Sequence, residues 1–159
     1  MEADQGMRAA VLKSVPQQPP FRFIDEILEL DENHIVGAYR FRKEEYFYEG
    51  HFPGRPITPG VLLVEAMAQT GVVALGLYLT MLQENTPHQA PEAMVTLFTF
   101  ADQVEFSGIV HPGERVIVRG EKIYFRRRSL KTKVQMEREN GELVCIGILA
   151  GTGVMLHET

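Results

Sequence analysis

The chain has 159 residues, one domain by length and enough to bury a core without disulfide or metal staples. Apolar residues make up 45% and charged residues 23%, which excludes a disordered chain. Sixteen Lys and Arg against 21 Asp and Glu leave a net charge of −5, which argues against a dedicated nucleic-acid binder. The lone Cys145 excludes an internal disulfide and any CxxC motif, and within LVCIGIL it reads as a buried, inert thiol. The opening MEADQGMRAAVLKSVP carries no apolar signal core, so a cytoplasmic location is expected.

A short helix is predicted over residues 6–14, stopped by Pro16, Pro19 and Pro20. Phe21 to Leu30 and His34 to Arg42 read as two strands, turned by Asp31-Glu32-Asn33. Residues 43–59 read as loop. From Pro59 the run PGVLLVEAMAQTGVVALGLYLTMLQEN predicts one long helix, about 59–84, ended by Asn85, Thr86 and Pro87. Its apolar residues go nearly all the way round, which marks a buried helix. Glu65 and Gln69 inside the run, and the absence of a flanking basic cluster, argue against a membrane span.

Four strands are predicted next: Ala93–Phe106, Glu114–Phe125, Leu130–Glu139 and Glu142–Met155. Asn140-Gly141 is a strong hairpin signal. Lys131, Lys133, Gln135 and Glu137 alternate with Thr132, Val134 and Met136, the pattern of a half-exposed strand, whereas LVCIGILAGTGVM is apolar throughout and is expected to be central. The order α, β, β, long α, β, β, β, β implies an α+β fold: an antiparallel sheet wrapped around one long central helix, the hotdog arrangement, as a single domain over 1–159.

The least ordinary stretch is GHFPGRPITPG, residues 50–60, with three Pro and three Gly. A loop so stiffened delivers one side chain reproducibly, and His51 is its titratable candidate. Two readings stand for His51: a packed turn residue, or a base. The loop runs into a helix N-terminus, where the N–H groups of Gly60 and Val61 have no intrahelical partner and face outward; Gly60 lets a carbonyl approach. Glu65 lies among Val61, Leu62, Leu63, Val64, Ala66, Met67 and Ala68. It is either tied into a structural hydrogen bond or a carboxyl whose pKa burial raises toward neutrality, with Gln69 at i+4 as its partner. A base, an acid and a carbonyl-polarising helix end together suit loss of a β-hydroxyl from a thioester.

His34, His88, His111 and His157 have no metal-like spacing to one another or to His51, and no phosphate loop or dinucleotide fingerprint occurs; no metal and no cofactor is expected. Residues 119–138 hold eight of the sixteen basic residues, including Arg126, Arg127 and Arg128. These are solvated strand faces or a docking patch for an acidic partner.

The segment GHFPGRPITPGVLLVEAMAQ, with PPFRFIDEILEL upstream and EFSGIVHPGERV downstream, resembles the 3-hydroxyacyl-acyl-carrier-protein dehydratases of FabZ type, over roughly residues 12–155. The resemblance implies dehydration of a 3-hydroxyacyl thioester on acyl carrier protein to a trans-2-enoyl thioester, in the synthesis of fatty acids or related acyl chains. His51 and Glu65 take the catalytic roles. Gly60, Val61, Gln69, Phe52 and Pro59 surround the substrate, with Gln69 positioning the acid. The resemblance further implies at least a homodimer, or a trimer of dimers, with His and Glu of one site from different subunits and an apolar acyl tunnel along the interface. Tyr78, Phe98 and Phe100 are candidates to close that tunnel. Glu65 rather than Asp favours the plain dehydratase over the isomerising FabA type.

The chain departs from the family at Gln17-Gln18, where a His-Arg pair is usual, and at Glu105, Ser107 and Gly108, where basic residues are usual. Either Arg126–Arg128 substitute as docking residues, or the carrier is a different one from that of the housekeeping fatty-acid pathway. A hotdog acyl thioesterase and a non-catalytic carrier-binding hotdog are the alternatives.

Overall fold

A computed structural model describes residues 1–156; His157 lies outside the described residues. The elements follow the predicted order. Helix α1 (Gln5–Ser14) is capped by the Asp4 side chain, which accepts from the Met7 N–H at 2.8 Å. Strands β1 (Glu26–Leu30) and β2 (His34–Arg40) form a hairpin. The long helix consists of α2 (Gly60–Ala68), a π-wound stretch (Gln69–Ala74) and α3 (Leu75–Gln83). Then come β3 (Met94–Phe106), β4 (Arg115–Arg126), β5 (Ser129–Arg138) and β6 (Leu143–Met155). One antiparallel sheet runs β1-β2-β4-β5-β6-β3. The apolar β6 is paired on both sides, as its composition predicts, but it stands one place in from the edge; β4 and β5 form the middle.

The sheet wraps the helix, which is long and apolar enough to cross a bilayer and is here a core helix. Val134 and Met136 of β5 face it, while Lys133 points away, as the alternation predicts. One core cluster gathers at the helix's N-terminal half around Leu63, Met67, Phe41 and Met136. A second gathers at its C-terminal half around Leu75, Leu77, Met81 and Leu130, and α1 closes it with Val11. On the outer face, Val36, Ala38 and Ile117 form a small apolar cluster. Cys145 is buried in the first cluster, and burial pushes its thiol up to about 11.

Three expected boundaries differ. The first strand starts at Glu26 rather than Phe21, because the backbone of Phe21 and Phe23 is bonded to the Gln69 side chain. The second stops at Arg40, since Phe41 bonds instead to the turn at Gly113 and Glu114. The region 43–59 contains a 3-10 turn, Tyr46–Tyr48.

The helix is also not uniform. It is wider-wound over Gln69–Ala74, where it crosses the sheet most closely. A Cβ on Gly71 would lie 2.6 Å from a methyl of Val134, and one on Gly120 would lie 3.0 Å from the Gly71 Cα. The helix and sheet backbones thus meet through glycine on both sides. Gly71→Ala is expected to overpack this crossing and cost about 1–3 kcal/mol. A thermal melt should show a Tm lower by several degrees; an unchanged Tm would mean the crossing relaxes freely.

Candidate active site

The loop before α2 is built as a rigid bracket. Phe52-Pro53-Gly54-Arg55 is a turn in which Arg55 N–H donates to Phe52 O at 2.8 Å, and Gly54 takes φ +73°. Proline then glycine at the two central positions is what a type II turn requires. The Ile57 N–H returns to His51 O at 3.0 Å, and Thr58 N–H reaches Val110 O at 2.9 Å. Below, the Tyr48 hydroxyl meets Thr58 Oγ1 at 2.6 Å, and Tyr48 packs on Phe47 within a cluster with Phe23, Tyr39 and Phe41. Tyr48 and Thr58 are therefore the loop's anchor, which local spacing did not reveal.

His51 is partly buried, with Phe52 stacked on its ring at 4.1 Å. Its Nδ1 lies 3.0 Å from Ile57 O. A carbonyl only accepts, so Nδ1 carries the proton, and in the neutral ring Nε2 keeps its lone pair. The bracket thus fixes the tautomer a base needs.

The loop hands over to the helix at Pro59, which is buried. Pro59 O accepts from Leu62 and Leu63, at 2.9 and 3.2 Å, and the N–H groups of Gly60 and Val61 are left as the unmatched donors of the first turn among the described residues. Val61 and Phe52 are exposed. A Cβ on Gly60 would come 3.1 Å from the Phe106 ring, so glycine keeps this approach open.

Glu65 sits one and a half turns further on, partly buried. Burial raises its carboxyl above the ordinary range, and the Gln69 amide offsets part of that rise. Gln69 itself is fully buried. Its Oε1 accepts from the Phe23 N–H at 2.7 Å, and its Nε2 donates to Phe21 O and to Glu65 Oε1, each at 3.0 Å. The Phe23 N–H can only donate, which fixes the orientation of the amide and makes Glu65 Oε1 an acceptor. A proton on Glu65 therefore sits on Oε2. Gln69 touches no open space, so its part is to position Glu65, not to contact substrate directly.

Glu65 opens into a cleft of about 70 Å³ walled by Gln17, Ala68, Val72, Thr96 and Phe98. His51 is not among its walls, and no hydrogen bond joins His51 to Glu65 within the chain. Of the expected tunnel closers, Phe98 lines this cleft. Phe100 instead lies under the Lys131 ammonium at 4.4 Å, and Tyr78 is buried in the second core cluster. The basic turn between β4 and β5 lies at the other end of the long helix, where Arg128 pairs with Glu84 at 2.8 Å. Arg126 and Arg127 form no ion pair among the described residues.

Residues 15–146 match the FabA-like domain family. The chain is 39% identical over 142 residues to a 3-hydroxyacyl-acyl-carrier-protein dehydratase FabZ of Roseiflexus sp., covering 87% of this chain and 90% of that one. It is 35% identical over 140 residues to the Caldicellulosiruptor bescii protein of the same name, covering 87% and 92%. Among solved structures, a chain of the dehydratase heterocomplex ApeI:P from Xenorhabdus doucetiae superposes with a TM-score of 0.75 at 13% identity, over 93% of both chains. A hypothetical thioesterase with coenzyme A from Streptococcus pneumoniae shares the fold, at a TM-score of 0.55 and 13% identity over 82% of this chain and 85% of that one. With this fold, this loop and this helix carboxyl, the chain belongs to the FabA-like family, as a member of its FabZ-type 3-hydroxyacyl-acyl-carrier-protein dehydratases.

Proposed function

We propose that the protein dehydrates 3-hydroxyacyl thioesters on acyl carrier protein to trans-2-enoyl thioesters during acyl-chain synthesis, with His51 as base and Glu65 as acid. The thioester oxygen accepts hydrogen bonds from the Gly60 and Val61 N–H groups, which favours negative charge building on that oxygen. His51 Nε2 takes the α-proton. The electrons of that C–H bond become the new double bond, and the C3–O bond breaks with its pair going to oxygen. Glu65 Oε2–H protonates that oxygen, and water leaves. The proton held by the imidazole then returns to the Glu65 carboxylate through solvent, which closes the cycle. The observation that carries this reading is the chain of fixed donors from Phe23 N–H through Gln69 to Glu65, because it leaves one carboxyl oxygen free to hold and give a proton.

The two halves of the site come together in a dimer. Strand β3 is a long edge strand with Leu97, Phe98, Phe100 and Phe106 exposed, a surface that calls for cover. In one chain, Phe98 marks the Glu65 cleft and Phe106 touches Gly60, toward opposite ends of β3. A two-fold axis that pairs two β3 edges antiparallel places the Phe106 end of one copy against the Phe98 end of the other. His51 and the Gly60 amide then face the Glu65 of the second copy. The same axis carries the second copy's basic turn toward the first copy's Gly60, so Arg126 and Arg127 of one subunit are placed to meet an acidic carrier that feeds the other's site. A soluble, cytoplasmic enzyme is part of this proposal.

The direct test is incubation with a 3-hydroxyacyl thioester. Growth of enoyl absorbance with loss of one water in mass supports the reading. Release of free thiol without enoyl product would make the protein a thioesterase, and no turnover would make it a binding module.

A further inference from the structure

The cleft holds a polar group that the mechanism above does not use. Gln17 lines it together with Glu65, and its Oε1 is buried with no hydrogen-bond partner among the described residues. The position of this side chain is set on both flanks. Upstream, Val15 is buried and Pro16 restricts the backbone. Downstream, the Gln18 amide bonds back to Val15 O at 3.1 Å, and Phe21 and Phe23 are bonded to Gln69. A buried amide oxygen left unmatched is costly, and each such exception to full pairing calls for a physical reason. Of the other cleft walls, Ala68, Val72, Val73 and Phe98 are apolar, and neither the Thr96 hydroxyl nor Glu65 makes a hydrogen bond to it.

We infer that Gln17 reads the 3-hydroxyl group of the substrate, accepting its O–H at Oε1 while Glu65 Oε2–H points at the lone pair of the same oxygen. This rests on the dehydratase reading. The two contacts use the hydroxyl once as donor and once as acceptor, so together they set the rotation of the C3–O bond as well as its place. An acyl group without the hydroxyl leaves Oε1 unmatched, and a site built around a hydroxyl disfavours an analogue that lacks it. Gln17 is thereby a specificity-determining residue, and as an amide it offers the same acceptor at every pH.

The test compares Gln17→Leu with the unaltered protein on two ligands of equal chain length. One is a 3-hydroxyacyl thioester, followed by turnover. The other is the saturated acyl thioester, measured as a competitive inhibitor. Loss of the hydroxyl contact should lower kcat/KM for the hydroxy substrate by about 10–100-fold. The inhibition constant of the saturated thioester should stay within about twofold, and the Tm should not fall, since the variant removes an unmatched group. If Gln17→Leu folds poorly, Gln17→Met keeps the length of the side chain and serves in its place. An unchanged kcat/KM, or equal weakening of both ligands, would overturn the inference and leave Gln17 as a cleft wall. Absence of turnover by the unaltered protein would instead strike the dehydratase reading itself, before any variant is compared.

Discussion

Glu65→Gln and His51→Ala are each expected to lower kcat by about 10²–10⁴-fold, the usual worth of a positioned acid or base. The glutamine keeps an acceptor for the Gln69 amide but has no proton to give. The loss therefore comes from chemistry, and the stability of Glu65→Gln shows that independently. Burial raises the folded-state pKa of Glu65 above its unfolded value. Its contribution to stability is then fully present below the unfolded pKa and is lost as pH rises through the folded one. Glutamine has no such titration. Glu65→Gln should melt at or above the unaltered protein at neutral pH, with the difference closing as pH falls below the ordinary carboxylate range. Melts across pH check this beside the rates. A variant with near-full activity, or one that melts lower at neutral pH, would refute the role given to the carboxyl.

Gln69→Leu removes three hydrogen bonds from a fully buried position. The Phe23 N–H is left without an acceptor in the core, and the segment that leads into β1 loses its tie to the helix. The expected cost is about 2–5 kcal/mol, from an orphaned buried donor plus the lost bonds. At this chain length that is a Tm lower by roughly 5–15 °C. A second effect separates positioning from mere packing. The Gln69 amide holds the Glu65 pKa down. Without it the acid stays protonated to higher pH, so the alkaline limb of the kcat profile should move upward. A destabilised variant whose alkaline limb stays in place would confine Gln69 to a structural part.

Much of this was legible in the sequence because the signals were strong and local. The 2-residue alternation of β5, the Asn140-Gly141 turn and the all-round apolar run from Val61 each specify an element, and the boundaries there agree within about two residues. The stiff loop and the lone carboxyl in a greasy helix marked His51 and Glu65 for the same reason. Tertiary effects were not legible. The π-wound stretch arises where Gly71 meets Val134 and Gly120, residues far along the chain. Gln69 reaches back 46 residues to the Phe23 backbone, which no helix pattern foretells. Gln17 stood out as a departure from the family, but only the fold shows that it shares a cleft with Glu65 and that its oxygen has no partner among the described residues. The basic turn was visible as charge, while its place at the far end of the helix and the Glu84 pairing of Arg128 required the fold.

The most direct measurement isolates mixed dimers in which one copy carries His51→Ala and the other Glu65→Gln, each with its own affinity tag. Sites built across two chains leave one of the two intact, so the mixed dimer should turn over 3-hydroxyacyl thioester at about half the unaltered rate while both parent variants stay inactive. A mixed dimer as inactive as its parents would contradict the account, since it would mean that imidazole and carboxyl never serve one substrate from different chains.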